Sequence, residues 1–355
     1  MTDPGDVPVD QRTASYDYAL PSELIAQNPA ERRDASRLLV LDARGDIRHA
    51  RFSELASCLR RGDLLVANDT KVIPARFLPQ RREGGKSEVL LLHPASEPGT
   101  WLAMVRPGKR VRKGDRLALD PRCGIEIVDW AGGERIVRFY GISADDAMAR
   151  FGRVPLPPYI TQAPVDAAER YQTVYATRLG SVAAPTAGLH FTTELIADLE
   201  RGGVEWTTVT LDVGAGTFRP VSATVVPDHR LHAERFEIGD AAALAIRRAR
   251  ARGSRVVAVG TTALRTLEAS ASQHDGVVAP GSAWTELFIY PPYRFVAVDA
   301  LITNFHLPRS SLLMLVAAFA GRERVLAAYE QAKALRYRFY SFGDAMFVER
   351  ASGLA

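Results

Sequence analysis

The sequence predicts an α/β main domain with an inserted small antiparallel β-barrel domain. Three observations lead there. Helical and extended patterns alternate through the second half of the chain, as an α/β domain requires. From Phe77 to Tyr140 the texture changes to short β-rich runs separated by Gly- and Pro-bearing turns, the spacing of a small barrel. The charge changes at the same place: Lys71 to Gly141 holds 14 Lys/Arg against 8 Asp/Glu, whereas the whole chain carries only +4. The expected organisation is a disordered tail over 1–15, an α/β catalytic domain made of 16–76 plus 142–355, and the barrel at 77–141.

A chain of 355 residues is long enough for two cores, and 47% hydrophobic with 24% charged residues is the composition of a soluble globular protein. The longest apolar run, Ser311 to Gly321, is too short to span a membrane. The N-terminus is acidic and proline-bearing, without the basic and apolar regions of a signal peptide. Two cysteines, Cys58 and Cys123, in unrelated contexts suggest a reducing setting and exclude a cysteine-built zinc site. A cytoplasmic monomer with no membrane contact and no metal is expected.

The elements follow in order. Pro21 to Ala26 reads as a short helix capped by Ser22, Arg37 to Asp42 as a strand, and Ile47 to Phe52 as its returning partner. Ser53 caps a helix to Arg61, and Asp63 to Ala67 is a buried strand. The loop Asn68-Asp-Thr-Lys-Val-Ile-Pro-Ala-Arg76 follows at that strand's carboxyl end, where open α/β sheets carry functional loops. The inserted strands are Glu88–Leu92, Thr100–Val105, Arg116–Leu119, Gly124–Trp130 and Arg135–Tyr140. Between them, Arg106 to Arg116 is a basic loop suited to tracking phosphates or to solvation alone. Ser143 caps a helix from Ala144 to Phe151. Three prolines keep Arg153 to Ile160 extended, with Tyr159 beside them as a linker residue or an exposed base-stacking ring. Then come a helix from Thr193 capped by Thr192, strands Val204–Leu211 and Arg255–Val259, and helices Gly239–Arg252 and Thr262–Ser272. Strands Glu286–Tyr290 and Val296–Thr303 and helices Ser311–Gly321 and Arg322–Arg336 complete the chain.

Several stretches carry candidate chemistry. Gly180 to Thr192 is built almost wholly of small residues, with Thr186, Gly188 and His190 inside, and leads into a helix start. It is either a tight crossover with a core histidine or a ligand loop at the positive end of a helix. Leu211-Asp-Val-Gly-Ala-Gly-Thr-Phe218 looks like the glycine loop of S-adenosylmethionine-dependent methyltransferases, but Phe218 replaces the third glycine and Pro220 and Pro227 follow where a helix should begin. Asp228 to Glu234 holds two histidines between carboxylates, a polar cluster or an acid/base pair more than a metal site. Thr261 and Thr262 open a helix after a strand, which suits either an anion or an ordinary cap. Thr303, Asn304 and His306 are polar within an apolar run, which is costly unless they are paired or used.

Taken together, Asn68 to Arg76, Pro155 to Ile160, Tyr171 to Tyr175, Ala183 to Phe191, Val213 to Phe218, Ala258 to Thr262, Thr303 to Pro308 and Gly343 to Phe347 resemble the S-adenosylmethionine:tRNA ribosyltransferase-isomerase family of queuosine biosynthesis. The resemblance runs in order from about Tyr16 to Val348. It implies an α/β domain with an inserted β-barrel. It implies transfer of the ribosyl part of S-adenosylmethionine to 7-aminomethyl-7-deazaguanine in the tRNA wobble position, giving epoxyqueuosine, adenine and methionine. S-adenosylmethionine is then a ribosyl-donor substrate, and no cofactor is held permanently. The sequence departs from the family pattern at Asp212, where histidine is usual, and at Pro292, where glycine is usual.

That reaction sets physical demands. A base must take a proton from the carbon beside the sulfonium, for which His190, His306 and Glu234 are the candidates in that order. Tyr290 offers an aromatic face to the sulfonium, and the helix start at Thr261-Thr262 suits the methionine carboxylate. Substrate contacts are also expected from Asn68, Asp69, Arg76, Thr186, Gly188, Asp212, Gly214, Gly216, Thr217 and Asn304. The anticodon arm needs basic contacts, for which Lys109, Arg110, Arg112 and Lys113 are available, with Tyr159 as a stacking ring.

Overall fold

The computed structural model describes residues 7–81, 84–161, 166–214 and 221–351. Gly216, Thr217, Phe218 and Pro220 lie outside the described residues, as do the first six of the tail. The chain forms two compact units, one from the sequence up to Thr70, Pro157–Arg178 and Pro185 onward, the other from Lys71–Leu156 and Leu179–Ala184.

The first unit is built on a nine-stranded mixed sheet. Four central strands, Glu205–Leu211, Leu64–Asn68, Val256–Val259 and Ala300–Asn304, lie side by side in that order and run parallel. Glu234–Ile238 and then Gly281–Thr285 extend one side in antiparallel pairing. Ala345–Glu349 pairs antiparallel with Ala300–Asn304 on the other side, followed by the hairpin Arg37–Leu41 and Ile47–Arg51. Leu64–Asn68, Val256–Val259 and Ala300–Asn304 are buried at every position, as strands covered on both faces must be. Their alternate residues Leu65, Ala67, Val257, Val259 and Ile302 share a core with Phe52, Phe191, Leu195 and Leu199. Leu195 and Leu199 are one helical turn apart on Thr193–Arg201, whose start is capped by the Thr192 side chain accepting from Leu195 N–H.

Several local expectations change. Ser22 lies within a short 3-10 turn, Ser22–Leu24, and caps nothing. The helix expected after Ser53 is a 3-10 segment, Phe52–Cys58, and it starts earlier than expected, with the Glu54 carboxylate accepting the Arg51 N–H. Residues 286–290 are not a strand: Leu287 N–H donates to Thr285 Oγ1 and its carbonyl accepts from Arg265, so side chains take the backbone groups a ladder would use. The last parallel strand begins only at Ala300, since the N–H groups of Val296, Ala297 and Val298 all donate to the buried Glu268 carboxylate. Residues 9–16, expected to be disordered up to 15, form two 3-10 turns, with Thr13 bonded to Thr224 and Ala223 and Tyr16 fully buried.

The second unit is a seven-stranded antiparallel sheet in the order Arg76–Phe77, Glu88–Pro94, Thr100–Arg106, Glu134–Tyr140, Gly124–Ala131, Arg116–Ala118, Gln80–Arg81. Alternation sets its core: Val89, Leu91, Ala103, Val105, Ile125, Ile127 and Val137 point inward. The helix Ala144–Phe151 follows, with Ser143 accepting from Asp146 N–H as its cap.

Candidate active site at the carboxyl edge of the main sheet

Four parallel strands bring four carboxyl ends to one edge. Asp212 to Gly214 follow Glu205–Leu211, Asn68 and Asp69 end or follow Leu64–Asn68, Gly260 to Thr262 follow Val256–Val259, and Asn304 to His306 end or follow Ala300–Asn304. Glu234 opens an antiparallel strand and Leu287 follows another, so both come to this same edge. The next of the four parallel strands after Leu64–Asn68 lies on one side of the pair and the next after Val256–Val259 on the other. Neighbouring strands that diverge in this way make a switch point, the place where open α/β sheets leave a ligand crevice.

His190 ends a 3-10 turn, Thr186–His190, and is 4% exposed, with its ring stacked 5.0 Å from Phe52. The Asn304 amide donates to the Tyr340 carbonyl at 3.2 Å, so its nitrogen also faces His190 Nε2, at 3.1 Å. Nε2 therefore accepts, Nδ1 carries the proton, and that proton goes to Ser36 Oγ at 2.7 Å. Burial lowers the His190 pKa to about 4. Beside it lies a cavity of about 20 Å3, enough for a single water.

His306 is 8% exposed, and burial lowers its pKa to about 3. Its Nε2 meets Thr303 Oγ1 at 2.7 Å. Two tyrosines clamp its backbone: the Tyr329 hydroxyl accepts from His306 N–H at 2.9 Å, and Tyr18 donates to the His306 carbonyl. Glu234 is buried, with Oε1 accepting Gly214 N–H at 3.0 Å and Oε2 paired with Arg265.

Other predicted contacts have structural partners. Asn68 is fully buried and spans the ladder, with Nδ2 donating to the Leu211 carbonyl and Oδ1 accepting the N–H groups of Leu211 and Thr70. Asp69 accepts from the hydroxyls of Thr210, Thr208 and Thr177. Asp212 is 3.8 Å from Arg235, and burial raises its pKa. Gly188 is glycine because a Cβ there would run into the Tyr175 hydroxyl, so the close approach at this residue is made by protein. Half-buried Thr186 begins the same turn. Tyr290 is half-buried against Phe288, which also meets His229.

Thr261 begins the helix Thr261–Gln273 after Gly260, which sits at φ +92° as the cap. No side chain caps this end. Thr262 Oγ1 and Arg265 Nη2, one turn apart, are buried without a hydrogen-bond partner among the described residues, as is Asn304 Oδ1. Unpaired buried polar atoms are costly and call for an explanation. Sequence reasoning missed Arg265. The only signal was a cation inside an otherwise uncharged helix start.

The remaining predicted residues lie elsewhere. Arg76 belongs to the antiparallel unit, where it pairs with Glu88 at 2.8 Å. Lys109, Arg110, Arg112 and Lys113 are exposed in that unit, with Lys113 paired to Asp129 at 3.0 Å. Tyr159 is not the exposed ring expected: it is half-buried, 4.7 Å from Tyr340, with its hydroxyl bonded to Ser341. Among the described residues no group of three or more His, Cys, Asp or Glu is placed to hold a metal ion, and no helix is long and apolar enough to cross a membrane.

An open sheet whose carboxyl edge gathers a switch point, a bare helix start and unpaired polar atoms defines a ligand-binding α/β protein. The chain belongs to the queuosine biosynthesis protein family, whose profile matches residues 13–348. It is 53% identical over 341 residues to the S-adenosylmethionine:tRNA ribosyltransferase-isomerase of Heliobacterium modesticaldum, covering 94% of this chain and 99% of that protein. It is 52% identical over 354 residues to the protein of the same name from Gloeobacter violaceus, covering 98% and 99%. Among solved structures it is similar to S-adenosylmethionine tRNA ribosyltransferase from Thermotoga maritima, with 40% identity, a TM-score of 0.55, and coverage of 94% and 99%.

Proposed function

We propose that this chain is an S-adenosylmethionine:tRNA ribosyltransferase-isomerase. Identity of about half the residues, over nearly the whole length of relatives bearing that name, carries the reading. The reaction moves the ribosyl part of S-adenosylmethionine onto 7-aminomethyl-7-deazaguanine at the wobble position of tRNA, giving epoxyqueuosine and releasing adenine and methionine. S-adenosylmethionine is consumed as substrate. The protein works as a cytoplasmic monomer without a permanently bound cofactor.

The carboxyl edge supplies the groups this chemistry needs. The bare start of Thr261–Gln273, with Thr262 and Arg265, receives the methionine carboxylate. Tyr290 and Glu234 face the sulfonium. His306 accepts the proton from the carbon beside the sulfonium, its ring oriented by Thr303 as a base is oriented by a third group. His190 has both ring nitrogens engaged and holds Asn304 in place as a positioning residue. Asp69, Asp212 and Gly214 complete the wall. In the antiparallel unit, the two edge strands Arg76–Phe77 and Gln80–Arg81 are separated by only two residues of chain, which supports closure of that sheet into a barrel. Its exposed Lys109, Arg110, Arg112 and Lys113 bind anticodon-arm phosphates.

One assay tests the reading. The protein is incubated with S-adenosylmethionine and tRNA carrying 7-aminomethyl-7-deazaguanine. Free adenine with a tRNA mass gain equal to the ribosyl unit supports it. S-adenosylhomocysteine would mean methyl transfer instead, and tRNA binding without turnover would mean a relative that has lost catalysis.

A further inference from the structure

The antiparallel unit carries one large aromatic ring at its surface on an unusual foundation. Trp130 is 48% exposed. It stands directly across the ladder from Arg135, whose guanidinium lies 3.4 Å from the centre of the indole. The register explains the pairing. A bulge between Ile127 and Asp129 adds Val128 to one strand, so Trp130 rather than its neighbour faces Arg135. Arg135 continues the inward row of Val137 and Phe139 and is 6% exposed.

Arg135 has no carboxylate partner among the described residues. Its Nη1 donates to the Glu134 carbonyl at 3.1 Å and its Nη2 to the Gly108 carbonyl at 3.2 Å, and its Nε is buried without a partner. A buried arginine usually has an acid beside it. Here the charge is neutralised by none, and the aromatic ring covers it. The Gly108 bond has a second effect: it ties the hairpin that ends in Trp130 to the 3-10 turn Gly108–Arg110, whose Lys109 and Arg110 are exposed. The indole is thus covered on one side by Arg135 and half exposed.

We propose that Trp130 is a stacking platform for an unpaired base of looped RNA, with Lys109 and Arg110 taking the flanking phosphates. Stacking on a fixed indole is sequence-tolerant, because every base offers a π-face, and basic side chains beside it track the backbone. The excess of basic residues in this unit supplies the charge complementarity that a protein partner would not require. The proposal rests on the reading of the chain as a tRNA-modifying enzyme, and it adds a contact that the basic loop alone does not provide.

The test uses the full-length protein and a fluorescently labelled anticodon stem-loop RNA, with Kd measured by anisotropy across a salt series, alongside turnover on full tRNA. Trp130→Ala weakens binding about tenfold, within the range for loss of one base stack. It leaves the slope of log Kd against log salt unchanged, since no cation is lost. Trp130→Phe recovers binding to within about threefold of wild type. In turnover, Trp130→Ala raises KM for tRNA while kcat and KM for S-adenosylmethionine stay at wild-type values. Lys109→Ala with Arg110→Ala weakens binding and also flattens the salt slope. Equal binding by Trp130→Ala and wild type, in a protein that turns over, overturns the platform alone and leaves the enzyme assignment standing. So does a Phe variant as weak as the Ala variant. A wild-type protein that neither binds the hairpin nor modifies tRNA overturns both.

Discussion

The two edges of the main sheet hold the same kinds of side chain and use them in opposite ways. At the amino edge, Arg255 reaches Asp63 at 2.6 Å and Glu349 at 2.7 Å, and Arg250 reaches Asp299 at 3.0 Å. Asp299 also accepts Val256 N–H, at the start of a strand, and Asp63 accepts Arg60 N–H in the turn before Leu64–Asn68, so these carboxylates hold backbone as well as cations. This edge carries an opening of about 330 Å3, lined by Arg60, Arg250, Arg255, Asp299, Glu349 and Arg350. At the carboxyl edge, Thr262 Oγ1, Arg265 Nη2 and Asn304 Oδ1 are buried and unpaired among the described residues. A polar group whose partners are all internal contributes to the fold. Several left unpaired together at strand ends, at a cost of about 1–3 kcal/mol each, give a ligand groups to bond. Saturation of hydrogen bonds separates the structural edge from the chemical one.

The comparison breaks first at His306. His306→Ala is expected to lower adenine release by at least about a hundredfold, the lower range for a lost acid/base group, while tRNA binding stays near wild type. Near-normal turnover in a folded variant removes His306 as the base and returns the choice to Glu234 and His190. On the other edge, Arg255→Ala strands two carboxylates, Asp63 and Glu349, near one another. Stability should fall by about 3 kcal/mol in urea unfolding, the cost of breaking a buried pair. Turnover by the protein that remains folded should not change, and a fall in kcat would place this edge in the chemistry.

A pH titration sharpens the contrast. His190 titrates at about 4 in the folded protein against an ordinary 6.5, so between those values the unfolded chain binds more protons. Its contribution to stability is therefore complete above about pH 6.5 and is lost as pH falls toward 4. The difference in unfolding free energy between wild type and His190→Gln should shrink across that window. A difference that stays flat from pH 7 to about 4 would mean that the imidazole is not buried as a neutral ring.

How much of this was legible depends on how local each cause is. The alternation of strands and helices, and the caps at Ser143 and Thr192, depend on residues within one turn, and the sequence carries them openly. The ends of the strand near Ala300 and the extended segment at 286–290 depend on Glu268 and Arg265, distant residues that claim backbone N–H and carbonyl groups. No window around those segments contains that information. Glu234–Ile238 was hidden for another reason: Glu234, Arg235 and Glu237 give it little apolar content, and its place is fixed by pairing with Glu205–Leu211 and Gly281–Thr285. The site shows the same split. Polar residues at strand ends pointed to the carboxyl edge, but polarity alone does not reveal that Asn68 is spent within the ladder while Thr262 is not.

Thr262 gives the smallest effect and the cleanest one. Valine has nearly the shape of threonine and lacks the hydroxyl. If Oγ1 is unpaired in the free protein, Thr262→Val removes a desolvated oxygen and leaves no partner stranded, so stability should stay within about 0.5 kcal/mol of wild type or rise. If that oxygen instead meets S-adenosylmethionine, the same change should raise KM for S-adenosylmethionine by about tenfold, the value of one hydrogen bond to a charged group. KM for tRNA should not move. A variant that loses stability without losing affinity would show that Oγ1 has a partner inside the fold, and would set the helix start of Thr261–Gln273 with the saturated edge.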